Sequence, residues 1–326
     1  MRILIFNDSF FNLSETFIYQ QVMSIQSHDV FLAGFRKENE KMFECPYPVQ
    51  IFPKFGSNLL DKFWKKFIAP NPYTLPPFTR AKIARFIKFK GIDLIHAHFG
   101  INGIRIYSIA KQLEIPLIIS FHGYDASKLL RQRKYVQQLT HALKESRNVT
   151  VVSDKMIKNL QSAGLNINKA IKIPYGVNTN YFKEIKSYST NQIPAILHVG
   201  RLTPKKGILQ LVEAAYQLHL DGLDFILNFV GDGLLRSEAE RLVERYHLQN
   251  KVCFLGAMPH QKALEQMYDA DIFVLNSITS ENGDEEGLPN VILEAIASGL
   301  PVVSTRHAGI PEAVDHETTG LLGEEG

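Results

Sequence analysis

The feature that most constrains the fold is a series of short apolar runs that are continuous rather than alternating. A strand exposed on one face alternates apolar and polar residues, so a continuous run indicates a strand buried on both faces, as in a parallel sheet. The segments between the runs carry helical patterns, for example Ile208–Leu220 and Leu235–Tyr246. This alternation predicts an α/β fold built on doubly wound parallel sheets. The apolar runs are Arg2–Phe6, Asp93–Ala97, Leu117–Phe121, Val149–Val152, Ile171–Ile173, Ala195–Val199, Phe225–Val230, Val252–Phe254, Ile272–Leu275 and Pro301–Ser304.

The alternation occurs twice, which suits two domains in a chain of 326 residues. A polar segment, Glu184–Ile193, separates the two sets of runs, and the net charge changes sign there. Residues 1–183 hold 26 Lys and Arg against 12 Asp and Glu, whereas residues 184–326 hold 10 against 21. The sequence therefore predicts two Rossmann-like domains, basic over 1–183 and acidic over 184–326, that face each other across a cleft. Ligands of such sheets bind beyond the carboxyl ends of the strands.

Composition excludes several classes of protein. With 45% apolar residues the chain is neither disordered nor collagen-like, and no stretch approaches the roughly 20 apolar residues of a membrane-spanning helix. The N-terminal apolar run is too short for a signal peptide, and Cys45 and Cys253 are too far apart for a metal or redox motif. We therefore expect a reduced, cytoplasmic protein. The chain ends soon after Leu322 without a closing helix, so we expect a truncated second domain or a fragment.

The most specific motif begins at Glu286. Pro289 suits the first turn of a helix, so the N–H groups of Gly287 and Leu288 would lie at its positive end, a natural site for a phosphate. Glu294 lies inside the same helix. Eight residues of helical rise span roughly 12 Å, so the two carboxylates would hold opposite ends of an elongated ligand rather than one atom. The spacing alone is equally typical of an N-terminal charge and a surface glutamate.

A second motif, Gly200–Gly207, directly follows the run Ala195–Val199. Arg201 offers a planar fork for phosphate oxygens, and Lys206 offers a mobile point charge. Both residues lie where the charge of a bound diphosphate would require neutralisation. The alternative to a diphosphate site is a turn in which both cations are solvated. The motif is not a P-loop, because the glycine spacing and the closing Gly-Lys-Ser/Thr are missing.

A third motif, Gly231-Asp232-Gly233, follows the run Phe225–Val230. A nicotinamide-nucleotide fingerprint would require another glycine at position 236, which is Arg236. The sequence therefore disfavours a dehydrogenase.

Three histidines of the first half of the chain lie in or just after predicted strand runs. His122 follows a strand run, where it could donate to a substrate hydroxyl or tune charge at a reacting carbon, although a purely structural histidine remains the alternative. His96 and His98 share one face of a strand and with His122 could form a three-histidine metal site. No acidic or cysteine ligand accompanies them, so we expect no metal.

The segment Asn58–Gly91 interleaves basic residues with aromatic and aliphatic ones, beginning with Trp64–Phe67. This pattern fits a helix lying on an anionic membrane, and it fits ordinary amphipathic helices equally well. No recognised nucleic-acid module surrounds it, so we expect no nucleic-acid partner.

Taken together, these motifs resemble the retaining nucleotide-sugar glycosyltransferases of family 4, which have the GT-B fold. The resemblance covers essentially the whole chain, and the order and spacing of the motifs carry it. The last two motifs are most similar to the branch that builds exopolysaccharides of the colanic-acid type. The motifs are Ser14–Ile18, Leu94–Gly100, Phe121–Asp125, Tyr175–Asn178, Val199–Gly207, Asn282–Pro289 and Ser304–Glu312.

The resemblance implies roles for individual residues. In the family, the residue matching Glu286 contacts the donor sugar, the one matching Glu294 holds the ribose hydroxyls, and the one matching His122 lies beside the sugar. Those matching Arg201 and Lys206 hold the diphosphate. The catalytic candidates are His122, Glu286, Arg201 and Lys206; the donor-binding candidates are Gly200, Arg201, Lys206, Gly231, Gly233, Gly287, Leu288 and Glu294; the acceptor-side candidates are Ser14, Glu15, His98 and Asp125.

The resemblance predicts a retaining glycosyltransferase that moves a sugar from a nucleotide-diphosphate sugar to a hydroxyl of a growing, lipid-linked oligosaccharide. We expect no cofactor, no metal requirement, and a cytoplasmic location, either free or peripheral at the inner face of the membrane. No carboxylate is placed as a nucleophile, so a same-face displacement is favoured. Two alternatives remain: a nucleotide-sugar epimerase on the same fold, and a truncated, non-catalytic chain that binds nucleotide sugar or membrane.

Overall fold

A computed structural model describes residues 1–53, 73–182 and 193–326. The chain divides into two compact units, Met1–Pro174 and Tyr175–Gly326. The boundary that the sequence predicts, between residues 183 and 184, lies outside the described residues. The division at Pro174 assigns the segment 175–182 to the second unit.

The first unit contains a seven-stranded sheet in the order β3-β2-β1-β4-β5-β6-β7, and every pair of neighbouring strands is parallel. The order reverses between β1 and β4, which makes their carboxyl ends the topological switch point. The strands are β1 (Arg2–Phe10), β2 (Asp29–Lys37), β3 (Val49–Ile51), β4 (Leu94–His98), β5 (Leu117–Ser120), β6 (Asn148–Val151) and β7 (Ala170–Lys172). The helices are α1 (Thr16–Ser24), α2 (Pro77–Lys90), α3 (Gly100–Gln112), α4 (Arg133–Glu145) and α5 (Asp154–Ser162).

The second unit contains a six-stranded parallel sheet in the order β10-β9-β8-β11-β12-β13. Its switch point lies between β8 and β11, so the loops after these strands are the expected ligand-binding edge. The strands are β8 (Ala195–Val199), β9 (Ile226–Val230), β10 (Val252–Gly256), β11 (Ile272–Leu275), β12 (Val302–Thr305) and β13 (Gly320–Gly323). The helices are α6 (Ile208–Leu220), α7 (Arg236–Arg245), α8 (His260–Asp269) and α9 (Asn290–Ala297).

The two parallel sheets confirm the predicted architecture of two Rossmann-like domains. In β1, residues Leu4, Ile5 and Phe6 are fully buried, as a strand covered on both faces requires. The sequence ended this strand at Phe6, but pairing with β2 extends it to Phe10. Strands β2, β3 and β13 were not among the predicted runs.

Helix α2 has a clear inner and outer face. Pro77 starts the helix, Gly91 ends it in the left-handed conformation with φ 59, and Thr79, Ile83 and Ile87 recur every four residues on the buried face. The membrane interpretation of Trp64–Phe67 concerns residues outside the described part of the chain. Among the described helices, none combines the length and apolar composition needed to cross a bilayer.

Candidate active site

The start of α9 forms the first part of the candidate site. Glu286, Gly287 and Leu288 precede the helix in a loop, and Pro289 occupies the N-cap, so the helix begins one residue later than the sequence suggests. Gly287 and Leu288 are both buried. Within the described part of the chain, the N–H groups of Gly287 and Leu288 have no hydrogen-bond partner. Buried N–H groups are rarely left unpaired, so this pair is available to an anionic ligand.

Two lysines from the loop after β8 hold the Glu286 carboxylate. A short 3-10 turn, Pro204–Lys206, brings both side chains to the same side. Lys206 Nζ lies 3.1 Å from Oε1 of Glu286, and Lys205 Nζ lies 3.7 Å from the same oxygen. Lys205 also contacts Oδ1 of Asp284 at 3.2 Å. Sequence reasoning singled out Lys206 and assigned no role to Lys205, of which only 8% is exposed.

The charges of this cluster stabilise one another. Burial raises the pKa of Glu286, but Lys206 and Lys205 outweigh it and lower the pKa to about 2. Burial lowers the pKa of Lys206, while Glu286 opposes that shift. The Arg201 side chain is exposed and makes no hydrogen bond or ion pair with the residues that the structure describes. The site therefore has an ionised Glu286 carboxylate that contacts two lysines, of which Lys205 also contacts Asp284. The exposed Arg201 side chain is a third cation.

The predicted donor-binding glycines allow backbone segments to approach closely. A Cβ on Gly231, which has φ +136, would lie 1.9 Å from the carbonyl oxygen of Gly200. A Cβ on Gly233 would lie 2.5 Å from the carbonyl oxygen of Leu202. The loops after β8 and β9 therefore pack backbone against backbone at the edge where the Lys206 stem lies beside Gly200.

Glu294, on α9, is held by two neighbours that the sequence reasoning missed. Its Oε1 accepts hydrogen bonds from Nε2 of His260 and Nδ2 of Asn290, both at 2.8 Å. The hydrogen bond to Glu294 raises the pKa of His260. Glu294 is 5% exposed, and its Oε2 accepts no hydrogen bond from the described residues. The carboxylate is thus oriented with one oxygen left for a ligand hydroxyl.

In the first unit, three histidines stack at the carboxyl ends of β4 and β5. The rings of His96 and His98 lie 4.5 Å apart, and those of His98 and His122 lie 5.1 Å apart. His98 Nδ1 and His122 Nε2 share a hydrogen bond of 3.0 Å. Burial lowers the pKa of His96 to about 4 and that of His122 to about 3. The rings are therefore neutral near pH 7.

These histidines bind each other and their neighbours rather than converging on one point. His96 Nε2 pairs with the Ser120 hydroxyl at 2.6 Å. Within residues 1–53, 73–182 and 193–326, no group of three His, Cys, Asp or Glu side chains is arranged to hold a metal ion. Metal independence of the protein stays a prediction.

Asp125 shapes the loop that carries His122. Its Oδ2 accepts the N–H of Gly100 at 2.8 Å, and its Oδ1 accepts the N–H groups of His122 at 3.0 Å and Gly123 at 3.1 Å. Burial raises the pKa of Asp125 to about 6, against the opposing effect of these backbone hydrogen bonds. The side chain is fully buried, so the geometry supports a positioning role, and the acceptor-side role stays a prediction.

The other acceptor-side candidates lie near the end of β1. Glu15 accepts a hydrogen bond of 3.2 Å from Nδ2 of Asn7 and helps line a small pocket that also contacts Tyr19 and Cys45. Ser14 is exposed, and its hydroxyl donates to the side chain of Asn12 at 2.9 Å. Their roles toward an acceptor stay predictions.

Comparison with known proteins identifies the family. The model of family 4 glycosyltransferases matches residues 26–181, and that of group 1 glycosyl transferases matches residues 179–326. The chain belongs to glycosyltransferase family 4. The two matches of this family 4 chain meet at residues 179–181, close to the point after Pro174 where the chain divides into its two units.

Two relatives by sequence are named for the biosynthesis of colanic acid and of amylovoran. WcaL of Escherichia coli strain K12, named for colanic acid biosynthesis, is 33% identical over 237 residues, which is 71% of this chain and 57% of WcaL. The amylovoran biosynthesis glycosyltransferase AmsK of Erwinia amylovora is 30% identical over 236 residues, which is 72% of this chain and 58% of AmsK. The family 4 chain thus spans less than two thirds of the length of these relatives.

The fold matches that of solved glycosyltransferases. The crystal structure of Alr3699/HepE from Anabaena, in complex with UDP and glucose, superposes with a TM-score of 0.78 at 22% sequence identity. The match covers 100% of this chain and 86% of HepE. It confirms the predicted fold class, two Rossmann-like parallel-sheet domains of the GT-B type.

Proposed function

We propose that this protein is a retaining glycosyltransferase that moves a sugar from a nucleotide-diphosphate sugar to a hydroxyl of a growing, lipid-linked oligosaccharide in exopolysaccharide biosynthesis. The observation that carries the proposal is the buried contact of Lys206 with Glu286 beside the unpaired N–H groups of Gly287 and Leu288. WcaL and AmsK, named for colanic acid and amylovoran biosynthesis, support the product class. HepE, crystallised with UDP and glucose, supports a nucleotide-sugar donor.

The donor is held at two ends. At one end, the diphosphate accepts hydrogen bonds from the N–H groups of Gly287 and Leu288 and is neutralised by Arg201 and Lys206. Lys206 then divides its charge between the diphosphate and Glu286, which leaves the Glu286 carboxylate able to accept from a sugar hydroxyl. At the other end, Oε2 of Glu294 accepts from the ribose hydroxyls.

The chemistry is a same-face displacement at the anomeric carbon. The bond from that carbon to the diphosphate oxygen breaks, and a bond to the acceptor hydroxyl oxygen forms on the same face. The leaving phosphate oxygen takes the acceptor proton, so the step is balanced without a protein nucleophile. Arg201 and Lys206 stabilise the charge that develops on the leaving group, which is often the largest catalytic contribution. The neutral His122 ring is assigned a hydrogen bond to a substrate hydroxyl.

The outer face of α2 supports peripheral binding to an anionic membrane, where a lipid-linked acceptor is found. Phe78 is 42% exposed and Phe89 is 82% exposed. Cations lie beside these rings on the same helix, and Lys82 Nζ lies 4.5 Å from the ring centre of Phe78. Basic side chains combined with exposed aromatic ones suit the interface of an anionic bilayer. The exposed basic residues of this face are Arg80, Lys82, Arg85 and Lys88.

The first test is a thermal-shift screen against UDP, GDP and their common sugar conjugates. A rise in melting temperature with one nucleotide, lost in Arg201→Ala and Glu294→Ala, supports the donor site. Transfer to a lipid-linked acceptor, with retained anomeric configuration by NMR and full activity in the presence of a chelator, supports the reaction. Isomerisation of the donor sugar without acceptor would instead indicate an epimerase. Donor binding without transfer would indicate a non-catalytic chain.

A further inference from the structure

The turn after β12 reaches the peptide backbone of the donor-site loop. The N–H of Glu286 donates to Nε2 of His307 at 3.0 Å. His307 is 1% exposed, and its Nδ1 lies 2.6 Å from Oε1 of Glu325. The Glu325 carboxylate is itself anchored, because its Oε2 accepts the N–H of Thr279 at 2.7 Å.

These contacts define one tautomer of the His307 ring. Nε2 must present a lone pair to the N–H of Glu286, so the ring proton lies on Nδ1 and is donated to Glu325. Burial raises the pKa of Glu325, but the hydrogen bonds from Thr279 and His307 outweigh it and lower the pKa, which keeps the acceptor ionised. The imidazole therefore links a carboxylate to a backbone N–H.

A second hydrogen bond from the same turn fixes the next residue. The N–H of Gly309 donates to the carbonyl oxygen of Gly287 at 2.9 Å. Between His307 and Gly309, Ala308 adopts the left-handed conformation with φ 49, which is strained for an L-residue. Strain of this kind persists where the surrounding structure requires it, and here it lets both neighbours of Ala308 reach the Glu286 loop.

The turn thus engages the N–H of Glu286 and the carbonyl of Gly287. The N–H groups that follow, on Gly287 and Leu288, are the ones without a partner in the described residues. We propose that His307, oriented by Glu325, is a positioning residue that aims the Gly287 and Leu288 N–H groups at the donor diphosphate and keeps the Glu286 carboxylate beside Lys206. This inference rests on the proposed function and adds residues to its donor site.

Two variants of similar size separate this role from simple packing. His307→Asn places its amide near Nδ1, so it can still pair with Glu325 but cannot accept from the N–H of Glu286. His307→Gln places its amide oxygen near Nε2 and can accept that N–H. We expect His307→Asn to lower kcat about 100-fold, because small displacements of catalytic groups have effects of this size, and His307→Gln to recover much of the loss.

The matched control is His316→Leu, in the same unit. Nδ1 of His316 accepts the N–H of Leu322 at 3.0 Å, so this variant also removes a hydrogen bond from a backbone N–H to an imidazole. It should leave kcat and the KM for the donor unchanged. A ring ¹⁵N NMR measurement on the full chain should show His307 as the Nδ1–H tautomer.

Two outcomes would overturn the inference: an Nε2–H tautomer of His307, or a kcat in His307→Asn within twofold of the wild type. Equal losses of kcat in the Asn and Gln variants, accompanied by equal losses of melting temperature, would also overturn it, because they indicate a structural role alone. If the wild type neither binds a nucleoside diphosphate nor transfers sugar, the proposed function fails. The ring tautomer would then still decide whether the His307 contact with Glu286 exists.

Discussion

Lys206 Nζ lies 3.1 Å from Oε1 of Glu286, with only 10% and 12% of the two side chains exposed. Removing two charges from water is costly, and their attraction offsets that cost only while both partners remain. The pair therefore has two separable consequences. It stabilises the loop before α9, and it holds a cation and a carboxylate together at the proposed donor site.

Lys206→Met is expected to weaken folding and turnover together. The buried Glu286 carboxylate would lose its nearest cation, which should lower the free energy of unfolding by about 3–5 kcal/mol. Loss of a charge that stabilises the leaving group should lower kcat about 100- to 1,000-fold. Chemical denaturation and steady-state kinetics measure the two effects, with Lys262→Met as the control on an exposed ion pair. Adding Glu286→Gln should restore stability but not turnover, and restored turnover would contradict the assignment.

Acid should destabilise the protein through Glu286. Its pKa is about 2 in the folded chain against an ordinary 4.5, so between these values the unfolded chain binds a proton that the folded chain does not. The stabilisation is complete above pH 4.5 and is lost as the pH falls toward 2, for a total of about 3 kcal/mol. Denaturation curves of the wild type and Glu286→Gln should converge across this window. Parallel curves would show that the Lys206 contact does not form in solution.

His122 should stay neutral throughout the working pH range. Burial lowers its pKa to about 3 from an ordinary 6.5, so it neither gains nor loses a proton between pH 5 and 8. We expect its ring resonances to show no titration there by NMR. His122→Gln should lower kcat about 100-fold, as for loss of one hydrogen-bond donor, while the pH–rate profile keeps its shape. A limb of the profile that disappears in this variant would identify His122 as a proton-transfer group instead.

Glu294→Gln should weaken binding of the nucleoside diphosphate without changing the fold. The amide oxygen can still accept from His260 and Asn290, but the charged acceptor for the ribose hydroxyls is lost. Charge-assisted hydrogen bonds contribute about 1.5–3 kcal/mol, so Kd should rise about 10- to 100-fold. Isothermal titration calorimetry measures the change, with the exposed Glu213→Gln on α6 as the control. Unchanged affinity in Glu294→Gln would remove this residue from the donor site.

The outer face of α2 should bind anionic vesicles. Neutralising Arg80, Arg85 and Lys88 to Gln should weaken binding to phosphatidylglycerol vesicles by about 3 kcal/mol, at about 1 kcal/mol for each charge. Cosedimentation at low and physiological salt measures the loss. The control set replaces three exposed cations of α4 with Gln, namely Arg133, Lys134 and Lys144. Equal losses in both sets would indicate a general charge effect rather than a binding face.

The sequence predicted best where local patterns decide the structure. The bounds of β8, β11 and α6 match their predicted ranges, because a continuous apolar run or a helical period is contained within the segment itself. Strand β3 is only three residues long and mostly exposed, and β13 lies at the edge of its sheet, so neither has a strong apolar signal of its own. The extension of β1 to Phe10 depends on pairing with β2, which no local pattern reveals.

The sequence by itself determined the two parallel sheets, because burial of a strand on both faces leaves a continuous apolar run in the chain. The motif spacings supplied the donor-site candidates, whose roles stay predictions. Only the tertiary structure decided which side chains hold those residues. Lys205 pairs with Asp284, and His307 contacts the backbone of Glu286, across long separations in the chain. Such contacts depend on how loops from different strands meet at one edge of the sheet. A charge or lone pair requires a protein partner only when folding has removed water from that edge, because an unpaired polar group is costly to bury.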